Sequence, residues 1–278
     1  MKPCHITVIA QVFLAITSIR AAEFLEPTDT TEAAAKVKEH AEQEAVDAKY
    51  ASWKASLSAE RQQWENHLEK NLGDLYFSWH KKARANKPDQ PSAWDYVEDD
   101  PKLPRVLIIG DSISRAYTVP VRKALKGKAN VHRAPANCGP TANGLKHLDV
   151  WLGDGKWDLI HFNFGIHDRK TGLDDYQKRL GGIVLRLKAT GAKLVWATTT
   201  PIHEDPAKGY IPTSIDERNA AATLIMKQHG VAINDLHAFI LPHVATDRIP
   251  NDVHFQQPGN ERMGAEVARV IEKNLESP

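Results

Sequence analysis

Two residues far apart in the chain carry side chains that can do nucleophilic chemistry together: Ser112, in Gly110-Asp111-Ser112, and His254, in Asn251-Asp252-Val253-His254. A serine hydroxyl becomes a nucleophile when an adjacent base takes its proton. An ordinary histidine titrates near pH 6.5, so at about pH 7 its neutral ring can accept one. The chemistry this pair offers is acyl transfer from an ester. Alone, Ser112 reads as a helix cap and His254 as a surface residue. Together, a serine just beyond a buried strand and a histidine late in the chain make the arrangement of a hydrolase that draws nucleophile and base from separate loops.

The elements that must position these residues follow from hydrophobic patterning. Val106 to Ile109, Val131 to Ala134, Leu159 to Phe164, Leu194 to Ala197 and Val231 to Ile233 are short apolar runs suited to buried parallel strands. Helical segments are expected between and after them: Val119 to Leu125, Gly144 to Leu152, Asp175 to Ala189, Ser214 to His229 and Asn260 to Leu275. Strands alternating with helices predict an open, doubly wound α/β sheet with right-handed crossovers. Its ligand belongs beyond the carboxyl ends of the strands, where Ser112 follows the first strand, Gly139 the second and His167 the third.

Gly110-Asp111-Ser112-Ile113-Ser114 resembles the first block of the SGNH, or GDSL-like, hydrolases, and Gly139, in Asn137-Cys138-Gly139-Pro140-Thr141, looks like the glycine of the second. Gly165-Ile166-His167-Asp168 is similar to the third block, Gly-x-Asn-Asp, and Asn251-Asp252-Val253-His254 to the last, Asp-x-x-His. The resemblance covers about residues 105–275 with the blocks in order. It implies a flavodoxin-like three-layer α/β/α domain with a five-stranded parallel sheet and a serine ester hydrolase. It also implies an oxyanion site built from the backbone N–H groups of Ser112 and Gly139, to which the His167 ring is expected to add a donor. Two positions depart from the pattern: His167 replaces the usual asparagine, and Asn251 replaces the usual acid. Asp252, charged but one residue closer to His254, is therefore the expected orienting group; a backbone carbonyl is the alternative. The Gly-x-Ser-x-Gly elbow of the α/β-hydrolases is missing.

Ahead of this domain, residues 29–85 are rich in Ala, Glu, Lys and Gln, with Trp53, Trp64 and Trp79 on one helical stripe. One long amphipathic helix or two stacked ones are expected, with Gly73 a possible break. A carbohydrate-stacking surface is one reading of the tryptophans, but helical-period aromatics more often cover a domain or a partner copy. That segment is then a helical extension that could support self-association. The stretch 86–104, with four prolines, reads as a linker into the domain at 105–278. Every candidate for the chemistry follows Pro104, so the extension is expected to be separable from it.

The first 22 residues read as an export signal: Lys2, then mostly apolar residues from Ile6 to Ile16, then Ala21-Ala22 at a cleavage point. A periplasmic or secreted protein is expected. Of two cysteines, Cys4 would leave with the signal, so Cys138 would remain alone without an intrachain disulfide. No later run reaches the roughly 18 to 20 apolar residues of a membrane span.

The 278 residues are 42% hydrophobic and 26% charged with net charge +1, which offers no electrostatic case for nucleic acid or an anionic membrane as partner. A small-molecule or polysaccharide ester is the expected partner. His161, His167 and His203-Glu204-Asp205 match no recognised metal-ligand spacing, so no metal is assigned. Gly110 stands alone after the first strand and no Gly-Lys-Ser/Thr occurs, which leaves no nucleotide cofactor either. The leading expectation is an exported serine esterase acting through an acyl-enzyme on a small acyl ester of a carbohydrate, such as an acetyl ester. A non-catalytic carbohydrate-binding or scaffold protein on the same fold is the alternative.

Overall fold

A computed structural model describes residues 27–153 and 155–277; the expected export signal and Cys4 lie outside the described residues. Five strands, β1 (Arg105–Ile109), β2 (Asn130–Arg133), β3 (Leu159–Phe162), β4 (Lys193–Ala197) and β5 (Ala232–Asn234), form one parallel sheet in the order β2-β1-β3-β4-β5. That is the flavodoxin-like order, and the chain reverses direction across the sheet between β1 and β3. Parallel strands need crossovers, which α4 (Ser112–Ala124), α5 (Thr141–Leu152), α6 (Leu173–Lys188) and α7 (Pro212–His229) provide. Two short helices, α8 (Leu236–Ile240) and α9 (Val244–Asp247), lead to α10 (Gln257–Glu276).

Strand side chains alternate between the two helical layers. Val106, Ile108 and Leu159 pack with Tyr117, Val121 and Met263 on the α4/α10 side, while Leu107, Ile109 and Phe162 pack with Leu148, Leu180 and Met226 on the α5/α6/α7 side. Both faces are covered, which is why the strands read as continuous apolar runs. The three-layer α/β/α architecture and its five parallel strands agree with the expectation. α4, however, begins at Ser112 rather than near Val119. Pro120 resembles a start signal but lies inside the helix.

The N-terminal segment is three helices, α1 (Pro27–Ala55), α2 (Ala59–Asn71) and α3 (Asp74–Asn86), where one or two were expected. Ser58 caps α2 by accepting from Arg61 N at 3.4 Å. Gly73, with φ 72°, opens the turn into α3. A buried carboxylate joins all three helices, since Glu65 accepts from the Tyr50 hydroxyl at 2.8 Å and lies 2.7 Å from His80 Nε2.

Residues 87–104 are irregular, as the prolines require, yet they form a packed strap. Trp94 is buried with Leu68 and Leu72, and its carbonyl accepts from Trp64 Nε1 at 2.8 Å. Arg84 bonds the carbonyls of Pro88 and Gln90, both at 2.9 Å, and pairs with Asp95. On the other side, Arg122 of α4 donates to Ser92 O at 2.7 Å and Asn130 of β2 to Asp100 O at 2.8 Å. The strap thus fastens the helices to the sheet domain. No described helix is long and apolar enough to cross a membrane.

Candidate active site

The turn from β1 into α4 sets the position of Ser112. Asp111 is the N-cap, its Oδ1 accepting from Ile113 N at 2.9 Å. The capping role that Ser112 alone suggests therefore belongs to its neighbour, and Ser112 is the first helical residue with its hydroxyl turned elsewhere. Behind the turn lies Arg133 of β2, 2% exposed. Its guanidinium donates to Gly110 O at 3.0 Å, Asp111 O at 2.9 Å and Ser114 Oγ at 2.7 Å. Burial lowers its pKa. Gly110 has no room for a side chain, because a Cβ there would stand 2.7 Å from Ser114 Oγ.

Ser112 Oγ lies 2.7 Å from His254 Nε2, and His254 Nδ1 lies 2.7 Å from Asp252 Oδ1. Ser112 from the β1–α4 turn and Asp252 and His254 from one late loop therefore form one hydrogen-bonded line. Burial raises the Asp252 pKa, but bonds from the His254 ring and from the backbone N–H groups of His254 and Val253 outweigh it, so its carboxyl titrates below the ordinary range. A carboxylate only accepts, which places the ring hydrogen on Nδ1 and leaves Nε2 to accept from Ser112.

The loop that holds His254 is closed by Ile249 N donating to His254 O at 2.9 Å and by the Arg248–Phe255 bridge. At its tip Asn251 has φ 56°, a left-handed conformation that asparagine tolerates better than most residues. This turn brings Asp252, rather than exposed Asn251, beneath the ring. The orienting carboxylate thus stands one residue nearer the histidine than the first position of the Asp-x-x-His block.

His167 lies on the 3₁₀ turn 166–168 that follows β3, with Nε2 3.9 Å from Asp111 Oδ2. It lines the same cleft, of about 460 Å³, as Ser112, Asp252 and His254. Gly139 does not line that cleft. It sits in the loop after β2 with φ +66°, a conformation suited to glycine, and Cys138 N ties this loop to Gly110 O at 3.1 Å. Asp168, next to His167, caps α5 through Thr141 N at 2.8 Å and Thr141 Oγ1 at 2.7 Å. Its place in the third block was the only sequence signal for that role. Cys138 is a free, buried thiol whose pKa burial pushes up to about 12, so it stays protonated.

Sequence reasoning missed the helical extension's place at this site. Tyr76 and Trp79 of α3 line the cleft beside Ser112, so the aromatic stripe does not only cover the domain. Trp64 donates its ring hydrogen to the strap, whereas Trp79 remains 51% exposed. A stripe at helical spacing shows which face is apolar, but not what it faces.

Solved structures share this architecture. The chain is similar to a lipase/acylhydrolase from Enterococcus faecalis, with TM-score 0.55 and 21% identity over 61% of this chain and 96% of that one. It is similar also to an acetylxylan esterase from Geobacillus stearothermophilus, with TM-score 0.52 and 16% identity over 63% of this chain and 95% of that one. The fold is that of the SGNH hydrolases. At such identities the likeness establishes the fold alone. No family model and no curated protein matches the sequence. Both neighbours are covered almost entirely, so more than a third of this chain, about the share that precedes β1, has no counterpart in them.

Proposed function

We propose that this chain is an exported serine esterase that removes a small acyl group, acetyl by preference, through an acyl-enzyme. The line of short hydrogen bonds from Ser112 through His254 to Asp252 carries the reading. Ser112 Oγ attacks the ester carbonyl as its proton passes to His254 Nε2, and Asp252 holds the resulting imidazolium. The tetrahedral intermediate collapses with loss of the alcohol, which takes that proton. Water then attacks the acyl-serine, giving a proton to His254; the acid leaves and Ser112 Oγ regains its hydrogen.

The negative charge on the carbonyl oxygen needs fixed donors, each worth on the order of 3 kcal/mol. The N–H of Ser112 at the start of α4 and the ring of His167 are assigned that role; Gly139, whose N–H was the third expected donor, lies outside the cleft lining. The helix start adds its positive dipole end. Residues 105–278 form the hydrolase domain, with the helical extension at 29–85 and the strap at 86–104. The acetyl preference is supported by likeness to an acetylxylan esterase, and export by Lys2, the apolar run Ile6 to Ile16 and Ala21-Ala22.

Hydrolysis of p-nitrophenyl acetate by the purified chain tests the mechanism. Ser112→Ala is expected to lower kcat by about 10³-fold or more without changing the unfolding midpoint. An unchanged rate in the variant refutes the nucleophile. No turnover by the unaltered chain would favour a non-catalytic binding protein on this fold.

A further inference from the structure

We infer that the helical extension is part of the substrate site: Tyr76 and Trp79 of α3 form an aromatic wall for the alcohol half of the ester, a pyranose ring carrying the acyl group. The inference rests on the esterase reading and adds to it the element that selects the substrate. Tyr76 and Trp79 line the cleft of about 460 Å³ that also holds Ser112 and His254.

Trp79 is an exception among the tryptophans of the molecule. Trp94, Trp151 and Trp196 are 4%, 5% and 0% exposed, whereas Trp79 is 51% exposed. Leaving that much aromatic surface in water forgoes burial at about 25 cal/mol per Å², and apolar surface on a cleft wall is a common mark of a ligand groove.

The wall is also held in place. Trp79 packs edge-on against Tyr76 at 5.4 Å, and Tyr76 packs edge-on against buried Trp94 at 5.8 Å. Arg115, three residues after Ser112 on α4, lies over Tyr76 at 5.8 Å and Trp94 at 5.7 Å. The aromatic pair is therefore keyed to the helix that begins with the nucleophile, although it comes from a segment more than 30 residues earlier in the chain.

The chemistry of the remaining lining selects the ligand class. Arg169, stacked on Tyr210 at 4.7 Å, lines the cleft with Arg115, Asn260 and His167. An aromatic wall with several hydrogen-bond donors suits a molecule that is apolar on its face and hydroxylated around its edge, which describes a pyranose. A long acyl chain would use the aromatic surface and leave the donors without partners.

Two measurements on the full chain test this wall, using Trp79→Ala because the exposed ring contributes little to folding. The first is kcat/KM for an acetylated xylo-oligosaccharide relative to p-nitrophenyl acetate. Trp79→Ala is expected to lower that ratio by about tenfold, mainly through KM, and Trp79→Phe to restore most of it. An unchanged ratio overturns the inference. A loss specific to p-nitrophenyl octanoate overturns it in favour of an acyl-chain wall. The second is calorimetric titration of the same oligosaccharide into Ser112→Ala protein, with and without Trp79→Ala. Binding weakened about tenfold by Trp79→Ala supports the wall even if the unaltered chain hydrolyses nothing. Absent binding, or equal binding by both proteins, overturns it whatever the esterase result.

Discussion

Under the proposed mechanism, replacing Asp252 by asparagine should cost less turnover than neutralising such an acid usually costs, because of where its hydrogen bonds fall. One oxygen, Oδ1, accepts from Val253 N at 2.6 Å, from His254 N at 3.1 Å and from the ring Nδ1 at 2.7 Å. In Asp252→Asn the two backbone donors hold the amide oxygen in that place, since an amide NH₂ pointing at them would meet donors only. The ring then still donates from Nδ1, and the tautomer that frees Nε2 survives. What is lost is charge. An imidazolium and a carboxylate about 4 Å apart attract by about 1 kcal/mol in water and about 4 kcal/mol at an effective dielectric of 20. With side chains 38% and 43% exposed, His254 and Asp252 lie between these limits. A loss of about 2 kcal/mol lowers kcat about 30-fold. Asp252→Ala removes the orienting bond as well and should approach the loss of about 10⁴-fold found in serine proteases when the tautomer is wrong. Asn251→Ala alters only a left-handed turn and should cost less than either. The assay is kcat for p-nitrophenyl acetate at saturating substrate, with unfolding midpoints to confirm that each variant is folded. Equal losses from Asp252→Asn and Asp252→Ala would refute the locked amide, and a larger loss from Asn251→Ala would move the orienting role to residue 251.

Two further outcomes concern stability and the β1–α4 turn. Burial brings the His161 pKa down from 6.5 to about 4. The unfolded chain therefore binds a proton that the folded one refuses, and stability, full above about pH 6.5, falls as the pH drops toward 4, by up to about 3 kcal/mol. Urea unfolding of His161→Gln at pH 7.5 and 4.5 should show a smaller acid loss than the unaltered chain; equal losses would remove His161 as the cause. Arg133→Met should leave three acceptors of the β1–α4 turn without their buried donor, costing about 3 kcal/mol in unfolding free energy and lowering turnover at least tenfold. An unchanged melting temperature and unchanged kcat would show that the turn holds its shape without the guanidinium.

Much of this protein is legible in the order of its residues because the deciding interactions are local. Apolar runs such as Val106 to Ile109 declare buried strands, the alternation with helical segments declares a parallel doubly wound sheet, and that topology brings the ends of β1 and β3 to one edge. The four short blocks pointed to Ser112, Gly139, His167 and His254, and the structure gathers all of these but Gly139 in one cleft. Tertiary structure decided the rest. Whether Asn251 or Asp252 meets the ring depends on the path of a closed loop, including φ 56° at Asn251, which residue type permits but does not dictate. Arg133 reads as an ordinary strand residue, and only the packing of β2 against β1 buries its guanidinium under the β1–α4 turn. Asp168 caps a helix that begins 27 positions earlier. The helical extension looked separable because its amphipathic stripe names no partner, and only the strap through Trp94 brings α3 to the cleft. Such contacts join segments remote in sequence, so they exist only once the chain has folded.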